Sequence, residues 1–429
     1  MSNLLSKASI LLTPTATSDG KLHNIKPNTT TGDFDFTRAT TATRVNSNGL
    51  IESVASGLPR IDFLGGTGQI LLEPASTNTA TYSNDFTQGD IFSGSSDPSS
   101  LNSVLTTNQG TAPDGTNTAS LIKDNNDGGT GSQFTGLSFF STTVVSDNFN
   151  TFSIFVKKSL SNNFIFLRSS GYDSAGVGNT WFDIQNGTLG TVSSNHTAKI
   201  EDYGNGWFRC SITAKTTTDV SGSFNVMLAA TNGSQDITRD GTNGVLLFGL
   251  QAEADASRNF ATSYIPTSGS TVTRNKDEAN SSGDTSLINT VEGVLYTETA
   301  CLADGDNNRA ISVALDNSNY ASIQYNPTTN RILGRYRNAG TFVAGIQFDI
   351  TDRTQFSKIA FRYKQDDFAL FVNGVKVGTD TSGSVLSADT FTSLNFGTST
   401  TANLFEGKAK TVAVYKEALT DAQLISLTS

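Results

Sequence analysis

Histidine carries most general acid–base work near neutral pH, and this sequence holds two, His23 and His196. Neither adjoins a glycine-elbow serine: His23 sits in a polar opening segment, and His196 follows Ser193-Ser194-Asn195 in a turn-like stretch. Both read as surface imidazoles, and a Ser-His-Asp engine is not indicated. Glycosidic hydrolysis needs only a pair of carboxylates, and 39 Asp and Glu supply the material. Yet Asp366-Asp367 and Glu201-Asp202 are chain neighbours, and strand neighbours point to opposite faces, so adjacency builds no dyad. Asp304-Gly305-Asp306-Asn307-Asn308 is rich enough in oxygen to interest a structural Ca2+, but it lacks EF-hand spacing and reads better as a solvated turn. With no phosphate-binding glycine loop and no zinc spacing, the expectation is no catalytic residue, no metal site and no cofactor.

Recognition leaves softer marks. Over 320–325, Ala321, Ile323 and Tyr325 share one strand parity and Tyr320, Ser322 and Gln324 the other; over 331–337, Ile332 and Tyr336 alternate with Arg331, Arg335 and Arg337. If the apolar set faces a core, Tyr320, Gln324, Arg331, Arg335 and Arg337 occupy one exposed sheet face. Guanidinium groups pair with carboxylate or phosphate in a planar fork, so this face suits an anionic glycan. The alternative is that these arginines solvate a sheet edge or meet another subunit. Trp181 and Trp207 fall at strand positions that fit core packing better than sugar platforms.

The elements that must hold such residues are strands. Charged residues are 16% of the chain, below the roughly 25% of an average globular protein, while 39 Gly and abundant small polar residues mark turns, and 27 Phe and 10 Tyr provide cores. The net charge of −10 argues against a nucleic-acid partner, and the sequence supplies no phosphate-neutralising stripe of Lys and Arg. The opening MSNLLSKASILLTP has only brief apolar runs, so neither a signal peptide nor membrane insertion is expected. Short alternating runs such as 151–157, 164–168, 180–184, 206–214, 223–229 and 244–253 call for a sandwich or jelly roll. Parity within 207–212 turns Cys210 inward, and Cys210 and Cys301 are expected as buried free thiols. Further strands fill 293–415, with Asn373-Gly374 a strong hairpin turn, and Thr420 to Gln423 forms a capping box for a short C-terminal helix. Tyr264-Ile265-Pro266-Thr267 reads as an exposed end strand.

The segment Gly32 to Pro74 is Thr-dense, turn-rich and carries Arg38, Arg44 and Arg60 among small residues; Asn48-Gly49 suits a two-residue hairpin turn there. It reads as a docking element. Its phrases TRATTATRVNSNGLIESV, PRIDF, ILLEPASTN and YSNDF resemble the N-terminal module of bacteriophage head-spike and tail-fibre proteins. GNGWFRCSIT, GVLLFGLQAE and TSYIPTSGSTVTR are similar to the first jelly roll of phage fibre proteins, and FALFVNGVKVG with FEGKAKTVAVYKEALTDAQL is similar to laminin-G or concanavalin A-like lectin sandwiches.

These resemblances imply an all-β protein: an attachment and oligomerisation module at 1–81 with Arg38, Arg44 and Arg60 as attachment residues, a first jelly-roll sandwich at 82–279, a linker at 280–290, and a lectin-like sandwich at 291–429. They imply a non-enzymatic virion protein, homotrimeric, docked on capsid or tail proteins and binding host-surface polysaccharide. The rivals are a capsid cement protein without a sugar ligand and a polysaccharide depolymerase.

Overall fold

The computed structural model describes residues 2–88, 102–130, 135–140, 145–170, 177–218, 222–302, 308–326 and 328–429. It is nearly all β, with one short C-terminal helix. Alternating apolar runs pair antiparallel into two sandwiches. In the first, a six-stranded sheet (Ser103–Gly110, Ala119–Asp124, Gly244–Asp255, Phe149–Lys158, Trp207–Lys215, Thr197–Asp202) lies over a five-stranded one (Gly136–Phe140, Ser223–Ala229, Phe164–Ser170, Gly178–Asp183, Thr188–Leu189). Phe152, Ile154, Cys210 and Ile212 of one sheet meet Ile165, Leu167, Phe224 and Val226 of the other. The Phe152 and Phe224 rings stack at 4.8 Å. Each such side chain, fully buried, contributes about 1.5–3 kcal/mol from removal of apolar surface from water.

The second sandwich joins an eight-stranded sheet to a five-stranded one. The smaller sheet runs Thr341–Asp349, Arg331–Asn338, Asn319–Tyr325, Arg309–Asp316 and Ser393–Asn395. The larger runs Val375–Asp380, Phe368–Val372, Ser357–Lys364, Glu292–Cys301, Gly407–Tyr415, Gln69–Leu72 and Arg60–Asp62, with Ile10–Leu12 also on Gly407–Tyr415. Asn373 and Gly374, at φ 48° and 82°, make the two-residue turn that the sequence indicates. The helix Asp421–Thr428 closes over the larger sheet's outer face: Leu424 and Leu427 pack with Val294, Tyr296 and Phe371. Cys210 and Cys301 are buried and form no disulfide with each other.

Residues 2–81 are woven into the rest of the chain, where the sequence suggests a separate foot. Ile10 pairs with Val414 and Leu72 with Gly407, so strands from the start of the chain extend the larger sheet of the C-terminal sandwich. The reason lies in Gly407–Tyr415, whose edge opposite Glu292–Cys301 would otherwise leave N–H and C=O groups unpaired. Phe34–Thr37 pairs likewise with Glu278–Asn280. The stretch 280–290 is correspondingly not a free linker: Ser282 is fully buried and bridges Leu394, and Ser281 N donates to Asn395 Oδ1 at 2.9 Å. Tyr264–Thr267 is not a strand either. Its backbone donors are taken by side chains, Ile265 N by Gln251 Oε1 at 2.6 Å and Thr267 N by Ser83 Oγ at 2.8 Å. At Asn48-Gly49 the hairpin forms, but around a loop spanning 46–50 in which Asn46 Oδ1 accepts from the N–H groups of Asn48 and Leu50.

Candidate functional site

Two of the three expected attachment arginines are spent inside the molecule. Arg38 Nη1 lies 2.9 Å from Asp277 Oδ1, Arg60 Nη1 lies 2.7 Å from Glu73 Oε2 and Arg60 Nη2 also bonds Asp277, with all four side chains at most 4% exposed. Arg274 completes the cluster, 3.5 Å from Glu73 and 3.8 Å from Asp277. Burial by itself raises the Glu73 carboxyl, but Arg274, Arg60 and two hydrogen bonds from Ser263 outweigh it and hold the acid well below its usual range. Breaking such a buried network by removing one partner costs about 3–5 kcal/mol, because the charge left behind stays in a dry site. Arg44 remains near the surface and pairs with Glu52 at 2.7 Å. The cluster is a junction between the N-terminal segment and residues 263–277, so Arg38 and Arg60 are not available for docking.

The histidines are not free surface imidazoles. His196 is buried, with Nε2 2.7 Å from Ser169 Oγ and Nδ1 2.9 Å from Thr180 Oγ1, and burial pushes its pKa down to about 4. His23 Nδ1 lies 2.7 Å from Asp33 Oδ2 and its Nε2 lies 2.8 Å from Ser18 Oγ, the hydrogen-bond order of a nucleophile, base and orienting acid. Ser18, however, is exposed on a two-residue strand at a hairpin, and the nearby Gly20 N–H is already spent on Gly57 O at 3.0 Å. Asp33 Oδ1 accepts from Asn24 N at 3.0 Å, so the three side chains tie the hairpin to the strand Phe34–Thr37. Among the described residues no group of three or more His, Cys, Asp and Glu is placed to hold a metal. The 304–308 loop considered for Ca2+ lies outside the described residues, apart from Asn308.

The face predicted over 320–337 does form. Ala321, Ile323, Tyr325, Ile332 and Tyr336 lie in the core, and the register places Tyr320 opposite Arg337 and Ser322 opposite Arg335 on the outer side. Its members divide by role. Tyr320 and Gln324 are only 2% and 1% exposed, buried beneath the longer side chains, so they support the face without presenting themselves. Gln324 Oε1 accepts from Arg335 Nη1 at 3.1 Å. Arg331 is held by both oxygens of Asp349, at 2.5 and 3.0 Å, and that pairing raises its pKa. Arg337 Nε donates to Gly340 O at 2.9 Å and its Nη1 to Asn317 O at 2.8 Å.

What reaches solvent centres on a residue absent from the sequence expectation. Phe342 is 47% exposed, with the guanidinium carbons of Arg335 and Arg337 at 4.7 and 5.1 Å from its ring centroid. Burial, and then the like charge of Arg337, lower the Arg335 pKa. A register shift between Tyr336 and Arg337 brings Phe342 opposite Arg337. Simple alternation does not reveal that shift, although a phenylalanine on the neighbouring strand was the available signal. An exposed ring flanked by two guanidinium planes can stack on an apolar ligand face and pair with an anionic group beside it.

Residues 297–425, from within the strand Glu292–Cys301 into the C-terminal helix, match the family described as the Concanavalin A-like lectin/glucanases superfamily. Among solved structures, domain 4 of an extracellular GH43 arabinanase from Geobacillus stearothermophilus, in complex with arabinotriose, is 14% identical with a TM-score of 0.30, over 36% of this chain and 73% of that one. The CBM40 of Ruminococcus gnavus IT-sialidase bound to alpha2,3 sialyllactose is 15% identical with a TM-score of 0.28, over 33% and 84%. Domains LG4-5 of the mouse laminin alpha1 chain are 8% identical with a TM-score of 0.23, over 66% and 88%. No curated protein matches the chain.

Proposed function

We propose that this chain is a non-enzymatic glycan-binding protein of a phage virion, and that the outer face around Phe342, Arg335 and Arg337 is its recognition surface. One observation carries the glycan reading: a half-exposed aromatic ring between two guanidinium groups, on the sheet face of a sandwich whose residues 297–425 match a lectin-like family. The ring offers a stacking platform and the arginines offer donors for carboxylate or hydroxyl oxygens. A shallow site of this kind binds weakly, and many copies on one particle supply avidity without any new contact. Placement on a head or tail, docking to capsid or tail proteins and a homotrimeric state are the finer parts of the proposal. Their support is the N-terminal phrasing that resembles spike and fibre proteins.

The test is a glycan array probed with the full chain and with Phe342→Ala and Arg335→Ala. Loss of the stacking and cation–π contributions, each about 0.5–1.5 kcal/mol, is expected to weaken binding to a host-type polysaccharide by roughly threefold to tenfold. Unchanged binding in both variants would remove the face from the proposal, and release of reducing ends would replace adhesion with depolymerisation. Imaging of whole particles with the chain located in them decides the virion placement.

A further inference from the structure

The two sandwiches enclose a cleft where they meet. Its volume is about 340 Å3, within the ~300–1,000 Å3 range of small-ligand sites, which favour domain junctions. The first sandwich contributes the strands Thr197–Asp202 and Trp207–Lys215 with the segment around Asn259 and Phe260. The second contributes the end of Glu292–Cys301, the turn at Thr354 and Gln355, and Lys408. The wall is two-sided in character. Phe260, Cys301 and Leu302 give an apolar surface, while Thr197, Asn259 and Lys408 give polar atoms.

Among the described residues no carboxylate lines the cleft, although the chain carries a net charge of −10. Lys199 at the mouth is matched by Glu201 at 2.7 Å. Lys408 is 25% exposed; Asp62 forms only a long ion pair with it at 4.0 Å, beyond hydrogen-bond reach, and the Lys408 charge also helps to lower the Glu201 carboxyl. A half-buried ammonium with donors to spare favours an anionic acceptor over water in a narrow space. A flat apolar wall beside it favours the less polar face of a ring.

We propose that this cleft binds a single carboxylated pyranose, its carboxylate on Lys408, its hydroxyls on Asn259 and Thr197, and its ring against Phe260. The site rests on the glycan-binding reading above but not on the Phe342 face. Because both sandwiches build it, an occupied cleft also fixes their relative placement.

The experiment titrates the full chain with glucuronate, and with glucose as the neutral counterpart, by calorimetry and ligand-observed NMR. Saturable millimolar binding of glucuronate is expected, with glucose at least tenfold weaker. Phe260→Ala and Lys408→Met are expected to weaken glucuronate at least tenfold. Thr197→Trp adds bulk from an exposed strand position and is expected to block the cleft without touching a core, which covers the case in which the first two variants misfold. Equal binding of both sugars, wild-type affinity in Thr197→Trp, or no saturable binding overturns the cleft. If Arg335→Ala abolishes glucuronate binding and Thr197→Trp does not, the Phe342 face stands and the cleft falls.

Discussion

Single residues show how far parity carries and where it stops. The split of Ile323, Tyr325, Ile332 and Tyr336 from Gln324, Arg331, Arg335 and Arg337 was legible, because it needs only the period of a strand. Burial of Tyr320 and Gln324 was not, since it depends on how Arg335 and Arg337 fold back over them. Arg38 and Arg60 were misleading for a related reason: their common partner, Asp277, is more than 200 residues away in the chain. His196 supports a prediction with a definite sign. Its pKa, near 6.5 in an unfolded chain, falls to about 4 on burial among hydroxyls, so the native state prefers the neutral ring. The resulting stability is fully present above about pH 6.5 and is lost as pH falls towards 4, with a ceiling of about 3 kcal/mol. Urea unfolding at pH 7 and pH 4 is expected to show His196→Gln losing less stability between the two than the parent chain. Parallel losses would show that the imidazole is not the group responsible.

Among the elements, strands of the two sandwiches were legible in position and type, and Ser223–Ala229 and Phe368–Val372 carry the same limits in sequence and structure. Local chemistry fixes these pieces, as it does the turn at Asn373-Gly374. Tyr264–Thr267 failed as a strand because its neighbours Gln251 and Ser83 satisfy its backbone through side chains, which no local pattern announces. The C-terminal helix is the clearest success. Gln423 N donates to Thr420 Oγ1 at 3.4 Å, and Thr420 N donates to Gln423 Oε1 at 2.9 Å. Thr420→Ala is expected to lower stability by about 1 kcal/mol, with Thr420→Ser near wild type, as read from urea midpoints. Equal midpoints for all three proteins would mean that the helix is held by Leu424 and Leu427 alone.

For the molecule as a whole, the connection between the first segment and the two sandwiches was not legible in the sequence. Ile10–Leu12, Arg60–Asp62 and Gln69–Leu72 are strands of the C-terminal sheet, and Arg38, Arg60 and Glu73 neutralise Asp277 and Arg274. Removal of residues 1–81 is therefore expected to strip that sheet's edge and to leave Asp277 and Arg274 with only their long 3.8 Å ion pair to each other. The remaining 82–429 should melt without a sharp transition and elute as aggregate, measured by circular dichroism and size exclusion. A fragment that is monomeric and melts with the parent would show that the first segment only leans on the rest.

The pairing of Ile10 with Val414 also has a bearing on biogenesis. During translation, that early strand leaves the ribosome long before its hydrogen-bonding neighbour has been made. Its apolar Ile-Leu-Leu run stays without that partner until residues 407–415 have been made. Yield in a host should therefore respond more to chaperone supply than to codon speed across the middle of the message.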